Sequence, residues 1–140
     1  MLRPYTAADL EEVLDVWYRA SLIAHSFVSA EFLETERAEI ADKWLPMAET
    51  TVYEADDRVV GFIAMIGNEV GAIFVDPDVQ GRGIGRALMD DVARTRPFLE
   101  LDVFEANPIG PAFYAAYGFR QIGSSSHEPT GQNQLRLRYE

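Results

Sequence analysis

Apolar residues recur at helical spacing in the first third of the chain. After a short strand at Leu2 and Arg3, Thr6 can cap a helix, with Asp9 three residues further on. The apolar face of this first helix consists of Leu10, Val13, Leu14 and Trp17. The stretch from position 29 to about position 44 predicts a second helix, which Ser29 caps. Its apolar residues are Phe32, Leu33, Ile40 and Trp44.

From position 51 the pattern changes to short runs that are typical of β-strands. Three such runs predict an antiparallel meander with turns at residues 56–57 and 67–68: Thr51 to Ala55, Val59 to Ile66 and Val70 to Val75. The pattern then predicts a helix from Gly83 to about Thr95, a strand from Phe98 to Val103, a helix from Pro108 to Tyr117, and strands near Phe119 to Gly123 and Gln134 to Tyr139. The order βααβββαβαββ indicates a mixed sheet with helices, in one domain spanning residues 1–140.

Charge and composition narrow the classes of partner. The chain has 12 basic and 23 acidic residues and a formal net charge of −11, which argues against nucleic acid or an anionic membrane as the main partner. It contains no cysteine, so a disulfide scaffold and a cysteine acyl-enzyme are both excluded. No stretch resembles the roughly 18 consecutive apolar residues of a membrane span, and no secretion signal opens the sequence, so we expect a cytoplasmic protein.

A glycine-rich turn, residues 80–86, lies between the last strand of the meander and the next helix. Glycines let the backbone approach a ligand closely, and free N–H groups at a helix start attract a pyrophosphate. Arg82 and Arg86 can add charge-assisted hydrogen bonds. The same glycines could also form a tight strand-to-helix turn that binds nothing.

Two nucleotide-binding alternatives fit this turn less well. Asp102 follows the glycines by about 20 residues, as the ribose-binding acid of a dinucleotide site does. A dinucleotide fingerprint that starts at Gly81, however, requires a glycine where the chain has Arg86. No Gly-Lys-Ser/Thr sequence follows the turn, so a Walker P-loop is excluded.

The sequence from Gln80 to Gly85 resembles the Q/R-x-x-G-x-G/A signature of the GNAT superfamily of N-acetyltransferases. The segment from Asn107 to Phe119 resembles a second family motif, N-x-x-A-x-x-F-Y-x-x-x-G-F, with Gly110 in place of the usual alanine. Residues 24–32 are further similar to a subgroup of small bacterial acetyltransferases. The resemblance extends over nearly the whole chain and is clearest from position 59 to position 119.

The resemblance implies an α/β (α+β) fold with a mixed, mostly antiparallel central sheet flanked by helices. The resemblance also implies that two central strands splay apart and that acetyl-CoA lies in the gap as co-substrate, with no metal. The cofactor-binding residues that the resemblance implies are Phe74, Val75, Gln80, Gly81, Arg82, Gly83, Ile84, Gly85, Arg86 and Asn107. Phe74 and Val75 would offer backbone groups to the pantetheine arm, while the amides from position 81 to position 86 would bind the pyrophosphate.

The catalytic roles are implied in the same way. Tyr114 matches the family position of the general acid, and a phenol with an ordinary pKa of about 10 is protonated at neutral pH. Asp102 or Glu69 could accept the proton of the amine, and His25 is a third candidate because its ordinary pKa is about 6.5. The reaction needs no dedicated base if the amine arrives neutral. His25 and Phe27 lie between the first two helices, where the acceptor is expected to bind.

The main functional hypothesis is an acetyl-CoA-dependent N-acetyltransferase that acts on a primary amine of a small molecule, peptide or protein. The alternative is a non-catalytic acyl-CoA-binding module or regulator. The acidic surface, with Glu31, Glu34, Glu36 and Glu39 in the second helix, favours an acceptor that carries positive charge. We expect His127 to lie exposed in a polar loop, and the two late strands allow pairing in a homodimer.

Overall fold

The computed structural model describes all 140 residues, which form a seven-stranded sheet covered by four helices. The strands are β1 Leu2–Pro4, β2 Glu49–Ala55, β3 Arg58–Ile66, β4 Glu69–Val75, β5 Leu99–Phe104, β6 Arg120–His127 and β7 Gln132–Tyr139. The helices are α1 Leu10–Ala24, α2 Ala30–Glu39, α3 Ile84–Ala93 and α4 Gly110–Tyr117. The predicted order of strands and helices is confirmed.

The start of α1 is fixed by an ion pair with β1. Asp9 is 5% exposed, and its carboxylate accepts hydrogen bonds from the Arg3 guanidinium at 2.8 Å on each oxygen. The same carboxylate accepts a hydrogen bond from the Thr6 N–H at 2.9 Å, as expected for the predicted capping pair. The Arg3 guanidinium is the main cause that holds the pKa of Asp9 at about 2.

Asp9→Asn should lower the free energy of unfolding by about 2 kcal/mol at pH 7, because the native state prefers the ionised carboxylate. Since the native pKa is depressed, this stabilisation is complete above the unfolded pKa of about 4 and is lost as pH falls through about 2. Denaturant titrations at several pH values measure the difference. Asp42→Asn, at an exposed position, is the matched control. A difference that does not depend on pH would contradict the ion-pair explanation.

The second predicted helix consists of α2 and two further helical pieces. Ser29 caps α2 by accepting a hydrogen bond from the Phe32 N–H at 3.1 Å, as predicted. A π-helical turn, Ile40–Trp44, and a single α-turn, Leu45–Met47, continue the helical path to β2. π-Helical turns are rare and frequently occur at functional sites. Here the turn brings Ile40 and Trp44 to the wall of a cleft that is described below.

The sheet has the order β1-β2-β3-β4-β5-β7-β6, in which only the β4–β5 pair is parallel. The predicted antiparallel meander is β2, β3 and β4. Every residue of β3 from Val59 to Met65 is buried, because helices cover both faces of the sheet at this strand. The predicted mixed, mostly antiparallel sheet is thus confirmed.

Two hydrophobic cores lie on opposite sides of the sheet. One contains Leu88 and Met89 of α3 together with residues of β3, β4, β5 and β7. The other contains Val13 and Trp17 of α1, packed with Leu33 of α2 and with residues of β2 and β3. No helix has the length and apolarity that crossing a bilayer would require.

The sequence-based prediction is wrong at β6. Residues 124–127 were expected to form an exposed polar loop, but they continue β6 and pair with β7 as far as His127–Gln132. Backbone pairing with β7 holds these residues in a strand. Their serine side chains are polar, so they do not show the apolar pattern from which a strand is predicted. The side chain of His127 is partly buried, and its Nδ1 lies 2.8 Å from the Thr130 hydroxyl oxygen.

Candidate active site

Strands β4 and β5 separate after a single residue pair. Glu69 and Glu100 are the only register partners between the two strands, although the strands are neighbours in the sheet. Beyond this pair the strands diverge, and the backbone there has no partner across the gap. The splay that the resemblance implied is therefore present.

Two clefts open at this splay. The larger cleft has a volume of about 400 Å³ and the smaller cleft one of about 300 Å³. Both are lined by the same four residues at their junction, which are Ile73, Phe74, Asn107 and Tyr114. A molecule in one cleft can therefore react at this junction with a molecule in the other.

The glycine-rich turn and the end of β4 form the wall of the smaller cleft. Nine of the ten predicted cofactor-binding residues line it: Phe74, Val75, Gln80, Gly81, Gly83, Ile84, Gly85, Arg86 and Asn107. Arg82 is exposed and does not line the cleft. The turn and β4 thus come together as the sequence predicted, with the exception of this one side chain.

The conformation of the turn leaves its amides available to a ligand. Gly81 and Gly83 have positive φ angles of 82° and 81°, which other residues rarely adopt. No N–H group from position 81 to position 86 donates a hydrogen bond within the protein, because the turn runs directly into the first turn of α3. Free amides at a helix start favour an anionic group such as phosphate.

Asp76 anchors the base of this turn, a role that the sequence analysis missed. Its fully buried carboxylate accepts hydrogen bonds from Arg19 of α1 at 2.9 and 2.5 Å and from Arg58 of β3 at 3.0 Å. It also accepts one from the Asp78 N–H at 2.9 Å. These bonds, above all that from Arg19, hold the pKa of Asp76 well below its ordinary value. The turn is thereby fixed to both α1 and β3.

Asn107 has a structural role at the start of α4. Its Oδ1 accepts hydrogen bonds from the N–H groups of Ile109 and Gly110, both at 2.9 Å. A Cβ atom at position 110 would lie 2.9 Å from the Asn107 amide nitrogen and 2.9 Å from a methyl group of Val103. This close packing explains why the chain has Gly110 where the family motif has alanine.

Tyr114 lies at the junction of the two clefts. Its ring packs edge-on against Phe113 and Phe119, with ring centroids 5.4 and 5.5 Å apart. Burial raises the pKa of its phenol above the ordinary value. The hydroxyl has no hydrogen-bond partner in the protein, whereas the Tyr117 hydroxyl donates to an Asp90 carboxylate oxygen at 2.6 Å. Tyr114 is therefore a protonated donor whose hydroxyl is available to a ligand.

Aromatic side chains from distant parts of the sequence form one end of the larger cleft. The ring centroid of His25 lies 6.0 Å from that of Phe74 and 5.2 Å from that of Phe104. His127 lies 5.2 Å from Phe104. Phe27 does not line the cleft, but it packs behind it, 5.3 Å from Phe104. Sequence reasoning missed Phe104 and His127, because only the tertiary fold brings β5 and β6 to the connection after α1.

His25 lines the larger cleft as a neutral imidazole. Burial lowers its pKa to about 4, so the ring carries no charge at pH 7. Its Nδ1 is buried and has no hydrogen-bond partner. The ring can therefore act as an apolar wall and a hydrogen-bonding group, but it does not contribute a positive charge.

Both predicted proton acceptors line the larger cleft and share one arginine. Both oxygens of Glu69 accept hydrogen bonds from the Arg136 guanidinium, at 2.6 and 2.7 Å. The same guanidinium lies 2.9 Å from Glu100 and 3.4 Å from Asp102. Arg136 of β7 thus joins β4 to β5 at the only point where they pair, and the sequence alone did not indicate it.

Residues 46–121 match the family model described as the acetyltransferase (GNAT) domain. The chain belongs to this family. It is 35% identical to the peptidyl-lysine N-acetyltransferase YjaB of Escherichia coli over 87% of this chain and 83% of that protein. It is 30% identical to the peptidyl-lysine N-acetyltransferase YiaC of Escherichia coli over 93% of this chain and 90% of that protein.

Solved structures agree with this assignment. The solution structure of apo YjaB superposes with a TM-score of 0.88 at 31% identity, covering 99% of this chain and 96% of that one. The PaiA N-acetyltransferase of Thermoplasma acidophilum, solved with coenzyme A, has the same fold with a TM-score of 0.81, at 19% identity and over 99% and 96% of the two chains. The chain is thus a GNAT N-acetyltransferase, and the predictions of family, fold and enzyme class are confirmed.

Proposed function

We propose that this protein transfers an acetyl group directly from acetyl-CoA to a primary amine, and that the amine is a lysine side chain of a peptide or protein. The observation that carries the proposal is Tyr114, which lines both clefts and whose hydroxyl has no hydrogen-bond partner in the protein. The names of the relatives YjaB and YiaC support lysine as the acceptor.

In this proposal the smaller cleft binds acetyl-CoA. The amides from Gly81 to Arg86 bind the pyrophosphate, and the Arg86 side chain adds positive charge. The edge of β4 that faces the gap, beside Phe74 and Val75, binds the pantetheine arm, since the splay leaves this edge without a strand partner. The Val75 carbonyl accepts a hydrogen bond from the Gln80 side chain at 3.0 Å. The thioester then reaches the junction beside Tyr114, and the acceptor enters through the larger cleft.

The reaction is a single acyl transfer. The neutral amine nitrogen attacks the thioester carbonyl carbon, and the C–N bond forms as the carbonyl electrons move to oxygen. The tetrahedral intermediate collapses, the C–S bond breaks, and the departing thiolate takes the proton of the Tyr114 hydroxyl. The nitrogen loses its surplus proton, and the phenolate is reprotonated from solvent, so the products are CoA and the acetylated amine.

We assign acceptance of the amine proton to Asp102, acting through water. Both oxygens of Glu69 are bound by Arg136, while Asp102 is only 3.4 Å from that guanidinium and its side chain is 44% exposed. Asp102 therefore keeps an oxygen for water, whereas Glu69 serves to hold Arg136. His25 contributes an uncharged aromatic wall that excludes water from the methylene chain of the acceptor, and Phe27 supports the His25 ring from behind.

Asp102→Asn should lower kcat/KM for a lysyl peptide by at least about tenfold at pH 7. The loss should shrink as pH rises toward the ordinary lysine pKa of about 10.4, because solution then supplies the neutral amine. Glu69→Gln is the comparison variant and should have a smaller effect. Equal losses in the two variants, or a loss that is constant with pH, would count against Asp102 as the proton acceptor.

The proposal as a whole is tested by incubating the protein with acetyl-CoA and a lysyl peptide. CoA release, measured with a thiol reagent, should match the amount of acetyl-lysine found by mass spectrometry. Tight binding of acetyl-CoA without any acetylated amine would instead identify the chain as a non-catalytic acyl-CoA-binding protein.

A further inference from the structure

Three carboxylates line the larger cleft, and only one of them lacks a cationic partner in the protein. Glu69 and Asp102 both face Arg136. The side chain of Glu36, from α2, has neither an ion pair nor a hydrogen bond, yet it lies in the wall of the same cleft. The other acids of the predicted acidic helix surface, Glu31, Glu34 and Glu39, are exposed and do not line the cleft.

The surroundings of Glu36 disfavour an uncompensated charge. Burial, reinforced by the neighbouring Glu39, raises the pKa of Glu36 above its ordinary value. A desolvated carboxylate without a partner lowers the stability of the fold, and a cation that enters the cleft would remove that penalty. The structure therefore has a place for a positive charge that the protein itself does not fill.

The π-helical turn supplies the rest of this subsite. Ile40 and Trp44 line the cleft together with Glu36, so apolar and aromatic surface lies on the same wall as the carboxylate. The Nζ of Lys43, the only lysine in the chain, lies 4.9 Å from the centroid of the Trp44 ring and does not pair with Glu36.

The charge that Glu36 would bind is not that of the reacting amine. Attack on the thioester requires a neutral amine, and an adjacent carboxylate would favour its protonated form. Glu36 is also absent from the four residues of the junction, where the reacting amine must lie. A second positive charge on the acceptor can bind to Glu36 without keeping the reacting amine protonated and without lying at the junction.

We propose that Glu36 binds a second cationic group of the acceptor, with Ile40 and Trp44 as apolar surface beside it, so that the enzyme prefers a lysine with a basic residue near it in the sequence. This inference rests on the proposed function and specifies its substrate class. Glu36 acts in binding: it lowers KM for basic acceptors and leaves the chemical step at Tyr114 unchanged.

The test compares two short peptides that differ only in charge. Each has a single lysine, flanked on both sides by arginine in one peptide and by citrulline, the neutral isostere, in the other. For the wild-type protein we expect KM to be about tenfold lower for the arginine peptide. Glu36→Gln should raise KM for the arginine peptide about tenfold, with kcat and the citrulline peptide nearly unaffected.

Glu34→Gln is the matched control, since it removes one charge from an exposed position of the same helix. If the preference came from long-range attraction by the net charge, both variants would change KM equally. If it comes from a subsite, only Glu36→Gln changes KM. Equal effects of the two variants, no preference of the wild type, or a loss confined to kcat would each overturn the proposal.

Binding and stability measurements separate this inference from the proposed function. Each peptide is titrated into the CoA-bound protein, and the wild type should bind the arginine peptide about tenfold more tightly, whether or not it acetylates either peptide. If both peptides bind with equal Kd, the Glu36 subsite is wrong even if turnover occurs. Without peptide, Glu36→Gln should raise Tm by roughly 2 °C, and a fall in Tm would identify Glu36 as a structural residue and overturn the proposal.

Discussion

Tyr114→Phe is expected to lower kcat by roughly 10²-fold and to leave the affinity for acetyl-CoA nearly unchanged. The substitution removes one oxygen atom, and the hydroxyl has no partner in the protein whose loss would disturb the fold. Because burial raises the pKa of this phenol, it stays protonated throughout the neutral range, and the loss should be constant between about pH 6 and pH 9. Steady-state rates at saturating substrates measure the effect.

Tyr117→Phe provides the matched control in the same helix. Tyr117 donates its hydroxyl proton to Asp90 and lines neither cleft, so its loss should reduce stability slightly and leave kcat within about twofold. If Tyr114→Phe folds normally and keeps full turnover, or if the two variants lose activity equally, Tyr114 is not the proton donor.

Gly83→Val is expected to abolish the rise in Tm that acetyl-CoA gives to the wild-type protein. No atom lies within 4 Å of a Cβ placed at this position, so the effect does not arise from a clash inside the protein. Valine instead disfavours the φ of 81°, moves the free amides away from their positions, and projects into the smaller cleft. Calorimetry should find binding weakened by at least about 10²-fold.

Gly67→Val separates backbone strain from ligand binding. Gly67 has a φ of 62°, a Cβ there also meets nothing within 4 Å, and its turn between β3 and β4 lines neither cleft. Both variants should lose about 1–2 kcal/mol of stability, but only Gly83→Val should lose acetyl-CoA binding. Normal binding by a folded Gly83→Val would remove the glycine-rich turn from the cofactor site.

The sequence predicted the smaller cleft well because local signals specify most of it. Helical spacing, together with Leu88 and Val92 on one face, predicts α3, and the glycines before it predict a turn with free amides. The end of β4 directly precedes that turn in the chain, so the residues at the end of β4 lie beside the turn in the fold. Arg82 is the exception, since the direction of a side chain in a turn depends on φ angles that the sequence does not specify.

The larger cleft was predicted less completely because it is assembled from distant segments. Phe104 packs against His25, in the connection after α1, and against His127 of β6. Arg136 of β7 binds Glu69 of β4, and these contacts exist only in the folded sheet, where β7 lies between β5 and β6. The π-helical turn could not be predicted from the sequence either, because a change of hydrogen-bonding pattern within a helix does not produce a distinct spacing of apolar residues. The acidic helix surface was visible in the sequence, but only the structure distinguishes Glu36, which faces the cleft, from its three exposed neighbours.

We propose that the acetyl group passes directly from the thioester in the smaller cleft to a lysine amine in the larger cleft, at the junction beside Tyr114. The decisive measurement is the initial rate of acetyl-lysine formation, with acetyl-CoA and a lysyl peptide both varied. Direct transfer requires both substrates to be bound together, so double-reciprocal plots should give lines that intersect. Parallel lines, or the absence of acetyl-lysine from the products, would rule out direct transfer to lysine.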